Sequence, residues 1–210
     1  MSTKTRRERE KLERKADILT AARNLFWQGG FDKTTMPMIA KAVELATGTL
    51  YLYFPSKESI YVELLCEGYE LLIEKLDSAI DRGLAPREQA ARFIDIFMDF
   101  AKQEPNYFEI LFFVVQREGK GVLDIRLTDE QRKKLKRYQK AVMKSAHELI
   151  RAGQGVDDEA AIDRVSAIWS MLAGVVIYYL KDGEEVFSRV KAAAEQIILA
   201  GLFDNRILAG

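Results

Sequence analysis

Thr34-Thr35-Met36-Pro37-Met38-Ile39-Ala40-Lys41-Ala42-Val43-Glu44-Leu45-Ala46-Thr47-Gly48-Thr49-Leu50-Tyr51-Leu52-Tyr53-Phe54 holds two short helical patterns divided by a turn. Thr34 and Thr35 are helix-opening residues, and the spacing predicts a helix of roughly eight residues from Met36. A turn of about three residues follows, then a second helix of about seven residues from Thr47. Upstream, Ile18, Ala22, Leu25 and Phe26 share one face of a helix that Gly29-Gly30 ends. Three helices so arranged have helix-turn-helix spacing, which usually serves DNA recognition.

The third helix has two different sides. Leu50 and Phe54, four residues apart, are expected to lock against Ile39, Val43 and Phe26. The opposite face presents Gly48, Thr49 and Leu52, flanked by Tyr51 and Tyr53. Gly48 lets the backbone approach closely, and Thr49, Tyr51 and Tyr53 donate to phosphate oxygens. Thr47 reaches base edges, and Leu52 meets a thymine methyl in the major groove. Lys57, at the start of the next helix, is expected to pair a phosphate as a point charge. Each residue has a plainer reading: Leu, Tyr and Phe at helical spacing are more often core than contact, and a serine-lysine pair after Phe-Pro is commonly only a cap. Their clustering on one face favours the DNA reading.

Working outward, the charge is uneven. The whole chain of 210 residues is formally neutral, yet residues 1–60 carry 11 Lys/Arg against 7 Asp/Glu. A basic head on an acidic body hints at an anionic partner for the head. Lys4 to Lys15 hold seven of those cations with three glutamates. This arm reads either as a solvated extension of the first helix or as a strap along phosphates or in the minor groove. It has no apolar segment of the secretory kind, so a cytoplasmic protein is expected. One cysteine, Cys66, and one histidine, His147, exclude an internal disulfide and leave too few soft ligands for a structural zinc, so no metal or cofactor is expected.

Apolar spacing is helical almost throughout, and no strand is apparent. Ser56 caps a long fourth helix expected to stop at Gly83, Pro86 starts a fifth and Pro105 separates a sixth. Gly119-Lys120-Gly121 marks a loop before the capping box at Thr128, and Gly153-Gln154-Gly155 and Asp182-Gly183 close the next two helices. The expectation is an all-α chain of about nine helices: an amino-terminal three-helix helix-turn-helix domain over residues 1–55, and a helical bundle over residues 56–210 for ligand binding and dimerisation.

In the bundle, Ile168 to Leu180 is apolar nearly all round and must be covered on two sides, though its 13 residues fall short of the ~20 that span a bilayer. Ile168, Leu172, Val176 and Tyr179, with Val190, Ala194, Ile197 and Ile198 of the last helix, are the expected contacts with a partner subunit. An ordinary intrachain core is the alternative. Seven of the chain's 21 aromatics fall between Phe93 and Phe113. Phe93, Phe97, Phe100, Phe108 and Phe112, with Met143, His147, Trp169 and Tyr178 on other helices, are the candidate lining of an apolar cavity.

Gly30-Phe31, Thr34-Thr35, Ile39-Ala40, the run from Gly48 to Phe54 and Ser56-Lys57-Glu58 together resemble the DNA-binding domain of the TetR family, over roughly residues 14–65. The resemblance implies that Thr34, Thr35, Thr47, Gly48, Thr49, Tyr51, Leu52, Tyr53 and Lys57 are DNA-facing. It also implies a homodimer built on the last two helices, and a small-molecule effector whose binding changes the separation of two heads and releases operator DNA, as a repressor does; the aromatic density of the body makes a lipophilic effector the expected one. Two positions depart from the family pattern: Glu44 stands where a turn glycine is usual, and Ala46 where a small hydroxylated residue is usual. An enzyme is not expected, since no phosphate loop or nucleophile constellation is present. The alternative function is a helical interaction module or membrane-surface adaptor that uses the basic arm.

Overall fold

The computed structural model describes residues 3–81, 83–111 and 128–203, and among these it is all-helical, with nine helices and no strand. They are α1 (Thr3–Gly29), α2 (Met36–Ala42), α3 (Thr47–Tyr51), α4 (Lys57–Ser78), α5 (Pro86–Gln103), α6 (Pro105–Glu109), α7 (Asp129–Gln154), α8 (Asp158–Tyr179) and α9 (Glu184–Phe203). Gly119-Lys120-Gly121 lies outside the described residues.

Local chemistry fixes most boundaries. Gly30 takes φ +82° and its amide closes α1 onto the Phe26 carbonyl. Thr35 caps α2, its hydroxyl accepting from the Met38 amide at 3.4 Å. Ser56 and Ser59 cap α4 reciprocally, each hydroxyl accepting from the other's amide. Thr128 and Gln131 form the expected capping box of α7. Asp157 caps α8 by accepting from the Ala160 amide at 2.8 Å. α4 stops at Ser78, short of Gly83, because the buried Gln89 takes over its last turn, donating to the Ala79 carbonyl and accepting from the Asp81 amide.

The chain divides by packing into two units, and the division falls later than residue 55. The first comprises the described residues up to Glu67 with the first turns of α7 up to Leu135; the second begins at Gly68 and takes up α7 again at Lys136. In the first, Ile18, Ala22, Phe26, Ile39, Leu50, Phe54, Ile60 and Leu64 are buried. Phe26, Phe31 and Tyr61 pack mutually in tilted and edge-to-face pairs with centroids 4.9–5.7 Å apart. The first turns of α4 therefore belong to the head's core. Arg23 holds Glu67 with a fork of two bonds, at 2.6 and 2.8 Å, which ties α1 to α4.

In the second unit α5, α8 and α9 pack on one another around Phe97, Met98, Phe100, Leu172 and Phe187, all buried. Gly68 allows a close approach of α4 to α6: a Cβ there would lie 2.9 Å from the Tyr107 ring. The Lys102 ammonium donates to Glu184 at 2.7 Å, tying α5 to the start of α9 and holding that carboxyl below its usual range. α8 is long and apolar enough by composition to cross a bilayer, but it carries buried residues against this unit's core.

Candidate nucleic-acid interface

α2 and α3 meet through a turn in which Glu44 adopts φ +54°, the left-handed region where glycine is usual in this motif. The Leu45 amide then bonds back to the Ala40 carbonyl at 2.9 Å, and Ala46, in extended backbone, starts α3 without a side-chain cap. α3 is five residues long, shorter than expected, but the turn continues through the Tyr53 and Phe54 amides, both bonded to the Leu50 carbonyl. Leu50 and Phe54 are buried, as are Ile39 and Phe26, while Val43 is half-buried.

The opposite face stands in solvent. Leu52 is 80% and Tyr51 50% exposed, and Gly48 has open space where a Cβ would sit. Thr47, Thr49 and Tyr53 are half-buried, and Thr35 is exposed at the head of α2. Among the described residues the hydroxyls of Thr47, Thr49 and Tyr51 make no hydrogen bond, so their donors are uncommitted. Sequence reasoning missed Met38, 44% exposed on α2. Its signal was available: Met36, Ile39, Ala40 and Val43 complete the inward stripe, which leaves Met38 outside it. Met38 and Leu52 thus hold apolar side chains out in solvent on the same head.

Two expected DNA contacts are corrected. Thr34 is 1% exposed, and its hydroxyl donates to the carbonyls of Gly30 at 2.9 Å and Leu25 at 3.2 Å. It faces the end of α1 and has no group left for DNA. Lys57 sends its ammonium inward, to the carbonyls of Phe31 at 2.9 Å and Thr34 at 3.2 Å, with Asp32 at 3.5 Å, and stands 4.2 Å over the Phe31 ring. Those bonds use its three protons, so it braces the α1–α2 loop instead of pairing a phosphate.

In the second unit the expected cavity residues do not converge. Phe93, Phe97 and Trp169 line a space of about 40 Å³ with Leu76, Ile94, Val142, Ala146 and Leu172. Met143 and His147 line a separate groove of about 230 Å³ between α7 and α8, with Lys140, Lys144, Ile162 and Val165. Phe100 and Phe108 are buried in the core instead, Phe108 edge-on to Phe97. Tyr178 is 73% exposed and lines neither space, and Phe112 lies outside the described residues. The His147 Nε2 is 3.8 Å from Asp158, too far for a hydrogen bond.

The expected dimer contacts divide in the same way. Leu172, Val176, Ala194 and Ile198 are buried in the unit's own core, so they are not free for a partner. Ile168 and Val190 are half-buried, Tyr179 is partly exposed, and Ile197 is 60% exposed. The free apolar strips lie one helical step away: Ala167, Met171, Gly174, Ile177 and Tyr178 on α8, and Val190, Ala193, Ile197 and Gly201 on α9.

Residues 18–64 match the family model of bacterial regulatory proteins of the tetR family. The chain is 32% identical over 91 residues to YhgD, an uncharacterised HTH-type transcriptional regulator of Bacillus subtilis, a match covering 43% of this chain and 48% of YhgD. It is 35% identical over 77 residues to the HTH-type transcriptional repressor KstR of Mycolicibacterium smegmatis, covering 37% and 38% of the two chains. The chain thus spans about half or less of the length of the curated relatives it matches. Among solved structures, the transcriptional regulator FadR of Bacillus subtilis in complex with stearoyl-CoA superposes with a TM-score of 0.66 at 20% identity, over 89% of this chain and 98% of that one. Residues 18–64 therefore carry the amino-terminal domain of the tetR family of bacterial regulators, and the described chain shares its helical fold with solved regulators that include members of that family.

Proposed function

We propose that this protein is a transcriptional repressor that binds operator DNA as a homodimer and lets go when a small lipophilic molecule enters its body. The observation that carries the reading is the two-sided segment from Thr47 to Phe54: Leu50 and Phe54 are sunk in the core while Tyr51 and Leu52 stand out with uncommitted neighbours Thr47 and Thr49. Thr35 and Met38 extend the same exposed surface onto α2. The free strips of α8 and α9, centred on Ile177 and Ile197, support self-association, with small residues at Gly174, Ala193 and Gly201 for close helix approach. A repressor among the relatives and an acyl-CoA complex among the related structures favour repression and a lipophilic effector.

Duplexes selected by the protein from a random pool should share a two-fold symmetric sequence with half-sites one helical turn apart. Leu52→Ala should weaken binding to that sequence by about 1–3 kcal/mol while binding to unrelated DNA changes less, whereas Tyr51→Ala, which removes a phosphate donor, should weaken binding to both alike. Equal affinity for selected and scrambled duplexes would remove the regulator reading. The membrane-adaptor alternative predicts co-sedimentation with anionic vesicles and indifference to DNA sequence.

A further inference from the structure

We infer that the amino-terminal extension of α1 is a second DNA-contacting surface, a helical cationic stripe lying along the phosphates beside the base pairs that α3 reads. The inference rests on the head being a duplex reader. α1 begins at Thr3, but its first buried residue is Ile18. The turns before it, about 20 Å of helix at 1.5 Å per residue, stand in solvent, and every residue from Arg6 to Arg14 is exposed.

Charge on this extension is sorted by face. Arg6 pairs with Glu10 at 2.8 Å and Arg9 with Glu13 at 3.6 Å. Arg7 and Lys11, four residues apart, make no ion pair among the described residues, and Arg14, three residues further, reaches Asp17 only at 4.0 Å. Arg7, Lys11 and Arg14 therefore form one stripe. Like charges four apart, as in Arg7 and Lys11, disfavour a helix, and among the described residues the stripe's one ion pair is the 4.0 Å contact of Arg14 with Asp17; a polyanion would reward all three cations together. The stripe also has a direction. It continues the side of α1 that carries Ile18 and Ala22, the side buried against the rest of the head. Lys15, next along it, reaches Glu63 of α4 at 3.8 Å and stands 5.2 Å from the ring of Phe54, which ends the reading segment. A lipid surface fits less well: Leu12 is the sole large apolar residue of the extension, and a membrane-lying helix needs a broad apolar face.

The test uses the full chain and a labelled duplex of about 40 base pairs of mixed sequence, with affinity read by fluorescence anisotropy across KCl concentrations from about 50 to 200 mM. Replacing Arg7→Gln, Lys11→Gln and Arg14→Gln together should make the slope of log affinity against log salt shallower by up to about 0.9 for each cation removed per head. The companion variant Arg6→Gln/Arg9→Gln, which removes paired cations from the other side, should change it far less; circular dichroism of both should match the parent. An unchanged slope in the triple variant, with parental binding intact, overturns the stripe alone. So does an equal loss in both variants, which would mark net charge rather than a surface. A parent that fails to bind duplex at all overturns the reading of the head itself. Lost sedimentation with phosphatidylglycerol vesicles alongside an intact DNA slope would assign the stripe to lipid and overturn the proposal.

Discussion

The ammonium of Lys57 has three protons and three backbone carbonyls within 3.5 Å, those of Phe31, Asp32 and Thr34, with the Phe31 ring beneath it. The Thr34 hydroxyl donates to the Gly30 carbonyl, with the Leu25 carbonyl also in reach, at the end of α1 and just past it. Together they fix the loop that delivers α2, so on the proposed reading both residues serve DNA recognition through position alone. Lys57→Gln should lower stability by about 1–2 kcal/mol, since charged hydrogen bonds contribute about 1.5–3 kcal/mol when shielded and this side chain is half-exposed, which weakens them. Operator affinity should fall with it while the salt slope stays at the parental value. A slope shallower by about one unit would return Lys57 to a phosphate contact. At Glu44 the strain is local: a non-glycine residue at φ +54° costs about 1–2 kcal/mol. Glu44→Gly should relieve it, less the entropy that glycine gains in the unfolded chain, for a net stabilisation of up to about 1 kcal/mol in urea titration.

At the scale of helices, the sequence was most informative where a helix has one wet and one dry side. α1, α2 and α3 were legible for that reason, since Ile18, Ala22, Ile39 and Leu50 keep helical spacing, and Thr35, Ser56 and Thr128 supplied the caps of α2, α4 and α7. The phase of α8 was not legible. From Ile168 to Leu180 it is apolar nearly all round, so periodicity carries no phase, and Leu172 and Val176 were expected outside while Met171 and Ile177 are the exposed residues. Thr34 failed for another reason: a hydroxyl is as much at home on a carbonyl as in water, and spacing does not say which. The aromatic run over α5 and α6 was expected to line a cavity, but Phe97, Phe108 and Trp169 pack edge to face and fill most of it. Because α3 is only five residues long, it depends on what lies behind it. Leu50→Ala should cost about 2–5 kcal/mol, the range for emptying a buried leucine site, and should abolish sequence-specific retardation before it abolishes the helical circular dichroism of the body. Operator binding that survives Leu50→Ala at parental strength would show that α3 holds its shape unaided.

Taken as a whole, the molecule has a reading surface too small to bind tightly on its own and two apolar strips that a lone subunit leaves wet. The proposed pairing through α8 and α9 would resolve both problems, because two tethered heads gain from effective concentration, which raises affinity by about 10²–10⁴-fold over either head alone. The positions that separate this idea from simple misfolding are adjacent. Ile177 and Ile197 are exposed, whereas Val176 is buried in the subunit's own core. Ile177→Asp or Ile197→Asp should therefore yield folded monomers in sedimentation, with a parental thermal midpoint for the body and operator affinity reduced by at least about a hundredfold. Val176→Asp should unfold the body, since an unpaired carboxylate cannot be buried there without a cost of several kcal/mol. Should the Ile177 and Ile197 variants sediment as parental dimers, the partner must lie on some other face. Monomers that still hold operator at parental strength would show that one head suffices and that symmetry plays no part in recognition.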